Sequence, residues 1–286
     1  MSLQYFGQYL VEKGAITPDH LAKAVGMQEA VNRSFGGVAQ SMGLLSSEEV
    51  MRINRLQHTQ DLLFGDAAIR LGLLSSEQVA SIISRKQENH LFIGEALVAV
   101  GALRAHDIRE HLHEFERKQA RYKTSGLDIP PGVPFPEFCR GMGDVSHKIL
   151  SRVAHVTFKP DVCEVVNKID GNDNAIIFDF TGDINFRYYL TFPRQVRNKI
   201  AIAIISTSAV INEKRSLDGT VHEFSRIVCG HVISRAAEMG KRLVMLNCDV
   251  VDHDEDIPVP QRNIGLLFPV YLPTGEWIDI ALVMPD

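Results

Sequence analysis

Glycine stands at positions 7, 36, 65 and 94, each 29 residues after the last, and again at 14, 43, 72 and 101. The stretches that carry these pairs read YFGQYLVEKG, SFGGVAQSMG, LFGDAAIRLG and FIGEALVAVG. A fixed period of this length marks a repeated supersecondary unit. Each unit reads as a helical hairpin whose short first helix stops at the second glycine, a residue suited to the left-handed conformation that ends helices. Two apolar residues follow, then a capping position: Thr17, Ser46, Ser75 and finally Arg104. Ser46 with Glu49 and Ser75 with Gln78 have the spacing of capping boxes, and Thr17-Pro18 puts proline at the first helical position. Leu21, Val50, Val79 and Ile108 recur in the second helices, again 29 apart. No such hairpin buries its apolar face alone, so adjacent hairpins are expected to pair into bundles.

The spacing resembles the MshEN module of type II secretion and pilus ATPases, whose motif R-L-G-x-x-L-x-x-x-G-x-x-x-x-x-x-L-x-x-x-L-x-x-Q is used twice with a five-residue spacer. Gly7, Leu10, Gly14, Leu21 and Gln28 match one copy, and Gly36, Gly43 and Gln57 match a second. The resemblance implies two modules in tandem, roughly 5–57 and 63–115, and cyclic di-GMP as a ligand held around Gly7, Gly14, Gln28, Gly36, Gly43 and Gln57. The family's leading arginine is Tyr5, Ser34, Leu63 and Phe92 here. A dianionic dinucleotide needs cations or backbone donors at its phosphates, and those four positions supply no cation. The glutamine is displaced to Gln87 in the third copy and replaced by Phe115 in the fourth. The repeats therefore read as a scaffold that has kept the hairpin residues. Arg52, Arg55, Arg70 and Arg85 are the nearby cations.

The 286 residues suit two domains. Residues 1–122 carry the repeats. A stretch over 123–136 with Pro130, Pro131, Pro134 and Pro136 excludes a regular helix and reads as a semi-rigid spacer. Residues 137–286 form the second domain. There 137–154 reads as a helix with Met142, Val145, Ile149 and Val153 inward, and VTFKPDVCEVVNKI as strand material. AIIFDFTGDINFRYYLTFP reads as a hairpin about Thr181-Gly182-Asp183, 193–206 as a short helix, and LVMLNCDVV as a strand. IGLLFPVYL and EWIDIALVM form a closing hairpin about Pro273-Thr274-Gly275. The expected fold is α + (α+β): bundles of helical hairpins, then an antiparallel sheet with packed helices.

One stretch of this second domain suggests chemistry. GTVHEFSRIVCGHVISRAAEMG, residues 219–240, reads as a helix with Val221, Phe224, Val228 and Val232 inward. Asp218 and Gly219 suit its start and Gly240 its end. Glu223, Arg226 and Gly230 follow along one side of it, a flat polar patch on a rigid element. Spacing alone favours the plainer reading, an i,i+3 ion pair on a solvated helix face worth a few tenths of a kcal/mol.

The order of elements, the TGDINFRYYLTFP strand pair and this helix resemble the CheX/CheC chemotaxis phosphatases, over about residues 137–286. In that family a helix carries E-x-x-N; the Glu engages a CheY-type receiver domain, and the Asn orients the water that attacks the aspartyl phosphate. The resemblance assigns Glu223 and Arg226 to the motif positions, with Arg where the family has Asn. Arginine has donors only and a permanent charge, so it does not accept from water as an amide oxygen does. The resemblance implies a signalling protein that binds a receiver domain with phosphatase activity lost, and a homodimer through the C-terminal domain. The alternatives are an active phosphatase with a variant motif, and a cyclic di-GMP sensor acting through the repeats. Glu-Phe-Cys-Arg at 137–140 echoes Glu-Phe-Ser-Arg at 223–226, as an internal repeat or by chance.

Composition bounds the rest. A net charge of −5 gives no footprint for nucleic acid. No apolar run has transmembrane length, and MSLQYFGQYL is not a signal peptide, so a cytoplasmic protein off the membrane is expected. Cys139, Cys163, Cys229 and Cys248 form no close pair and read as reduced and mostly buried. The histidines, His111, His113, His222 and His231 among them, have no metal-ligand spacing. The acidic run Asp252-His253-Asp254-Glu255-Asp256 reads as a solvated loop. No phosphate loop or nucleophile elbow is present, and no cofactor is expected.

Overall fold

The computed structural model describes residues 5–119, 126–207, 217–252 and 255–285. It divides into two compact units, one built from 5–57 and 62–119, the other from 126–271 and 276–285. The expected spacer residues 123–125, Asp218's side chain, His253 and Asp254 lie outside the described residues.

Among the described residues the first unit contains eight helices: α1 Phe6–Glu12, α2 Pro18–Val31, α3 Phe35–Ser41, α4 Ser47–Thr59, α5 Phe64–Arg70, α6 Ser76–Glu88, α7 Ile93–Ala99 and α8 Ala105–Gln119. The glycines at 14, 43, 72 and 101 all have φ between 67° and 74°, where a Cβ is strained. Past each of them the chain closes the same helix end. Ala15, Leu44, Leu73 and Ala102 donate to the carbonyls of Leu10, Ala39, Ala68 and Leu97 at 2.9–3.0 Å, the six-to-one bond of a Schellman cap. The earlier glycines serve packing. A Cβ on Gly36, Gly65 or Gly94 would meet Val50, Val79 or Ile108 at 3.0, 2.9 and 3.0 Å, and one on Gly7 would overlap Leu21. Both glycine sets and the apolar residue 14 positions after the first set are thus parts of one hairpin geometry. At the helix starts, Ser46 and Ser75 cap with Glu49 and Gln78, Thr17 accepts from the His20 amide at 3.2 Å, and Arg104 pairs with Asp107.

The hairpins do not pair in chain order. One core joins the second and third hairpins through Val38, Ala39, Ile53, Ala67, Ala68 and Ile82. The other joins the first and fourth through Phe6, Tyr9, Leu10, Ala96, Leu97 and Phe115. The expected pairs, first with second and third with fourth, are replaced by a nested arrangement. Aromatic residues account for it: Phe115 lies 5.4 Å from Phe6 and 5.5 Å from Tyr9 between ring centroids, and Phe35 lies 5.3 Å from Phe64. Phe115, which departs from the motif glutamine, is therefore what seats the fourth hairpin on the first. Glu114 beside it bonds to Lys13 and Lys118, and those hydrogen bonds hold its carboxyl down at about 2.

The second unit contains α9 Pro136–Arg152, β1 Lys159–Pro160, β2 Glu164–Val166, β3 Lys168–Ile169, β4 Asn174–Gly182, β5 Phe186–Phe192, α10 Arg194–Thr207, α11 Leu217–Glu238, β6 Leu243–Asp252, β7 Ile257–Pro258, β8 Asn263–Tyr271 and β9 Trp277–Pro285. The main sheet runs β1-β8-β9-β5-β4-β6, with β2 also on β8, and its pairings are antiparallel. The two expected hairpins are β4–β5 and β8–β9. The expected strand material after α9 is broken into the short β1, β2 and β3.

α11 packs on α9, α10 and β6, and α9 also reaches β9. Phe178, Tyr188, Phe192, Phe268 and Ile280 are buried on the helix-facing side, with Phe138 of α9 edge-on to Phe186 at 5.3 Å. Tyr188's hydroxyl meets Ser146's at 2.9 Å, so the buried phenol is satisfied. The opposite face is covered in part: Ile169, Tyr189, Leu267, Ala281 and Val283 form a second small core under the β3–β7 pair. This is why β9 reads as a nearly unbroken apolar run. The exception is Asp279, on that second face and 4% exposed. Burial and the neighbouring Asp170 and Glu164 charges push its carboxyl up to about 7, while a bond from the Asp170 backbone opposes them.

Candidate functional site

α11 is held by an apolar stripe at helical spacing: Val221, Phe224, Val228, Val232 and Ala236 are each at most 1% exposed. It closes at Gly240, φ 70°, where Lys241 donates to the Ala236 carbonyl at 2.8 Å. The helix begins at Leu217, so Asp218 and Gly219 lie inside it rather than at its cap. Ser225, the third residue of the motif, turns inward and donates to the His222 carbonyl at 2.7 Å, while Cys248 reaches its hydroxyl at 3.5 Å.

The face opposite the stripe carries Gly219, His222, Arg226, Gly230 and Ser234, all exposed, with Glu223 half-buried at its edge. Among the described residues no ion pair or hydrogen bond engages the Arg226 side chain. The i,i+3 pair with Glu223 is not formed, and the guanidinium stands in solvent with five donors. Gly230 has nothing within 4 Å of where a Cβ would sit. A glycine in an exposed helix interior costs about 1 kcal/mol relative to alanine, and no neighbour within the unit requires this one. The surface thus offers one carboxylate, one uncommitted cation and a bare stretch of helix backbone. Among the described residues of this face there is no amide side chain that could orient a water.

Residues 137–140 lie on α9 and use their side chains the same way. Phe138 and Cys139 are buried like Phe224 and Ser225, while Glu137 and Arg140 face outward. There the two charges do pair, at 2.9 Å.

In the first unit the six motif positions have structural tasks. Gly7 and Gly36 admit the second helix of their hairpin, and Gly14 and Gly43 are the left-handed caps. Gln28 donates to the Leu91 carbonyl at 3.0 Å, and Gln57 donates to the Leu62 carbonyl at 2.8 Å. Leu62 and Leu91 are themselves 29 apart, so each glutamine ties its hairpin to the partner hairpin by the same bond. That equivalence was available in the sequence. Asn32, which exchanges two bonds with Leu91, has no counterpart in the other repeats and left no signal.

Cys139, Cys163 and Cys229 are buried and Cys248 partly so, all free. Burial pushes the Cys139 and Cys163 thiols up to about 12 and Cys229 to about 11, so they pack as apolar side chains. Among the described residues no three potential metal ligands converge, and no helix is long and apolar enough to cross a membrane.

No protein-family model and no curated protein matches the chain. Among solved structures, the C-terminal half matches CheX/CheC-like chemotaxis proteins. A CheX from Desulfovibrio desulfuricans is 19% identical with a TM-score of 0.43, over 51% of this chain and 99% of that one. A putative chemotaxis protein from Desulfovibrio vulgaris Hildenborough is 18% identical with a TM-score of 0.42, over 54% and 99%. CheX in a CheX–CheY–BeF3–Mg complex from Borrelia burgdorferi is 12% identical with a TM-score of 0.41, over 52% and 98%.

Proposed function

We propose that the exposed face of α11 is a docking surface for a CheY-type receiver domain and that the chain is a signalling protein without strong phosphatase activity. Gly230 carries this reading. A glycine kept on an open helix face, where alanine would be about 1 kcal/mol better, fits a backbone that a partner must approach closely. Glu223 two turns before it and Arg226 one turn before it supply charges of both signs to orient that partner. Arg226 occupies the place the family resemblance gives to the water-orienting amide, and a guanidinium has no acceptor for that task.

A second reading has one observation in its favour. The Arg226 side chain is uncommitted, and a free cation can stabilise a phosphoryl group in transfer. Phosphorylated CheY-type receivers from the source organism separate the two readings when phosphate loss is followed with wild type and with Arg226→Asn. Inert wild type and an active substitution support docking with lost catalysis. Fast wild type that Glu223→Ala silences supports the enzyme. Receivers that neither bind nor react exclude both.

The same reading includes a homodimer through the C-terminal unit. β6 supports it: an edge strand of the main sheet with Val244, Met245, Leu246 and Val251 exposed leaves a row of backbone groups open to a second copy. Light scattering at twice the chain mass is the expected result.

A further inference from the structure

In the first unit, where the ends of α2 and α6 meet beside α3, an open cavity of about 380 Å3 is lined by Arg33, Arg85, Lys86 and His90 over a floor that includes Val31 and Val38. Among the described residues no carboxylate lines it, in a chain whose net charge is −5. Among the described residues neither the Arg33 nor the Lys86 side chain has an ion-pair or hydrogen-bond partner. Arg85 reaches Glu88 at 3.5 Å with both side chains 60% exposed, a contact of little strength.

Cations in the last turn of a helix also answer its dipole, and that accounts for Arg85 and Lys86 taken singly. It does not account for Arg33 arriving from another hairpin to face the same space. The rim that presents these groups is fixed. Asn32 donates to the Leu91 carbonyl at 3.0 Å and accepts from its amide at 2.8 Å. Asn89 donates to the Arg85 carbonyl at 2.9 Å, and the His90 ring stands edge-on to Phe92 with centroids 4.8 Å apart. Like charges held near one another without a counter-charge are relieved by an anion between them.

We propose that this cavity binds a phosphate-bearing small molecule of mononucleotide size, with its phosphate on Arg33, Arg85 and Lys86 and its apolar or ring portion on Val31 and Val38. The volume lies in the range of about 300–1,000 Å3 in which small-molecule sites fall. Guanidinium forks suit phosphate oxygens, and Val38 is 8% exposed and so presents a firm apolar surface. The site uses none of the glycine and glutamine positions of the repeat motif, so it stands or falls separately from them and from the α11 surface.

Calorimetric titration of the full chain with pyrophosphate and with GMP tests it. The expected result is saturable heat from at least one probe, weakened about tenfold or more in the Arg33→Ala/Arg85→Ala variant and weakened by added salt. Both substituted side chains are exposed, and an unchanged far-UV spectrum and melting point show that the variant is folded. No heat from either probe up to roughly 5 mM overturns the proposal, as does an affinity that the paired substitution leaves unchanged.

Discussion

Asp279→Asn is expected to remove the pH dependence that one buried carboxyl imposes on the second unit. Asp279 sits in the second small core at 4% exposure, and its carboxyl is raised from 3.8 to about 7. A group whose folded value lies above its unfolded value binds its proton more tightly in the native state. Its contribution is therefore complete below about pH 4 and is lost as pH rises through 7. Between pH 5 and pH 8 that loss comes to roughly 2–3 kcal/mol, which in a domain of this size is a fall of about 5–10 °C in melting temperature. Asparagine is nearly isosteric and does not titrate, so the stability of the variant relative to wild type should climb by about that amount between pH 5 and pH 8. Trp277, the chain's single tryptophan, lies on the same strand, and its fluorescence follows unfolding of this unit in urea. Groups that titrate alike in both proteins cancel in the difference, leaving Asp279 and its coupling to Asp170 and Glu164. Wild-type and variant midpoints that run parallel from pH 5 to pH 8 would refute the reasoning, because the carboxyl would then be either solvated or neutralised by a partner.

Gly230→Ala should raise stability by about 1 kcal/mol in thermal melts while weakening receiver binding in a pull-down titration; a variant that is stabilised and binds normally removes the reason given for that glycine. Gly36→Ala puts a Cβ 3.0 Å from Val50 and 3.2 Å from Phe64 and should cost about 1–3 kcal/mol by overpacking, read as a lower urea midpoint of the helical signal. Gln57→Ala strands the Leu62 carbonyl beneath a side chain that is 5% exposed and should cost about 1–3 kcal/mol in the same assay. Cyclic di-GMP titrated into wild type should give no heat; heat that Gln28→Ala abolishes would show the glutamines serving a ligand instead of the hairpin contact.

Local rules were written openly in this chain. The 29-residue period gave hairpin helices, their caps and their stops, because each depends on residues within one turn of one another: glycine at the left-handed cap, serine and an acceptor three residues on, proline after Thr17. The β4–β5 and β8–β9 hairpins and the inward stripe of α11 were equally local. What the sequence hid depends on partners far away in the chain. Phe115 looked like a lost glutamine until its contacts with Phe6 and Tyr9 showed what it had become. Tyr189, Leu267 and Ala281 gave no sign that a second small core covers the back of the sheet, since the strands that cover it are two residues long. At the α11 surface Glu223, Arg226 and Gly230 were legible, but whether the charges pair was not, as that depends on rotamers. Arg33 and Lys86 carried no signal in the sequence, because only the folding of two hairpins against each other brings them around one space.

The nested pairing of the hairpins sets an order of events for the growing chain. The second and third hairpins meet across a short connection, so their core can form as soon as both are made. The first hairpin is made earlier still but has no partner until the fourth emerges, some 90 residues later by the repeat spacing. Until then Phe6, Tyr9 and Leu10 face water, so the first hairpin waits through the making of the next three before its apolar face is covered.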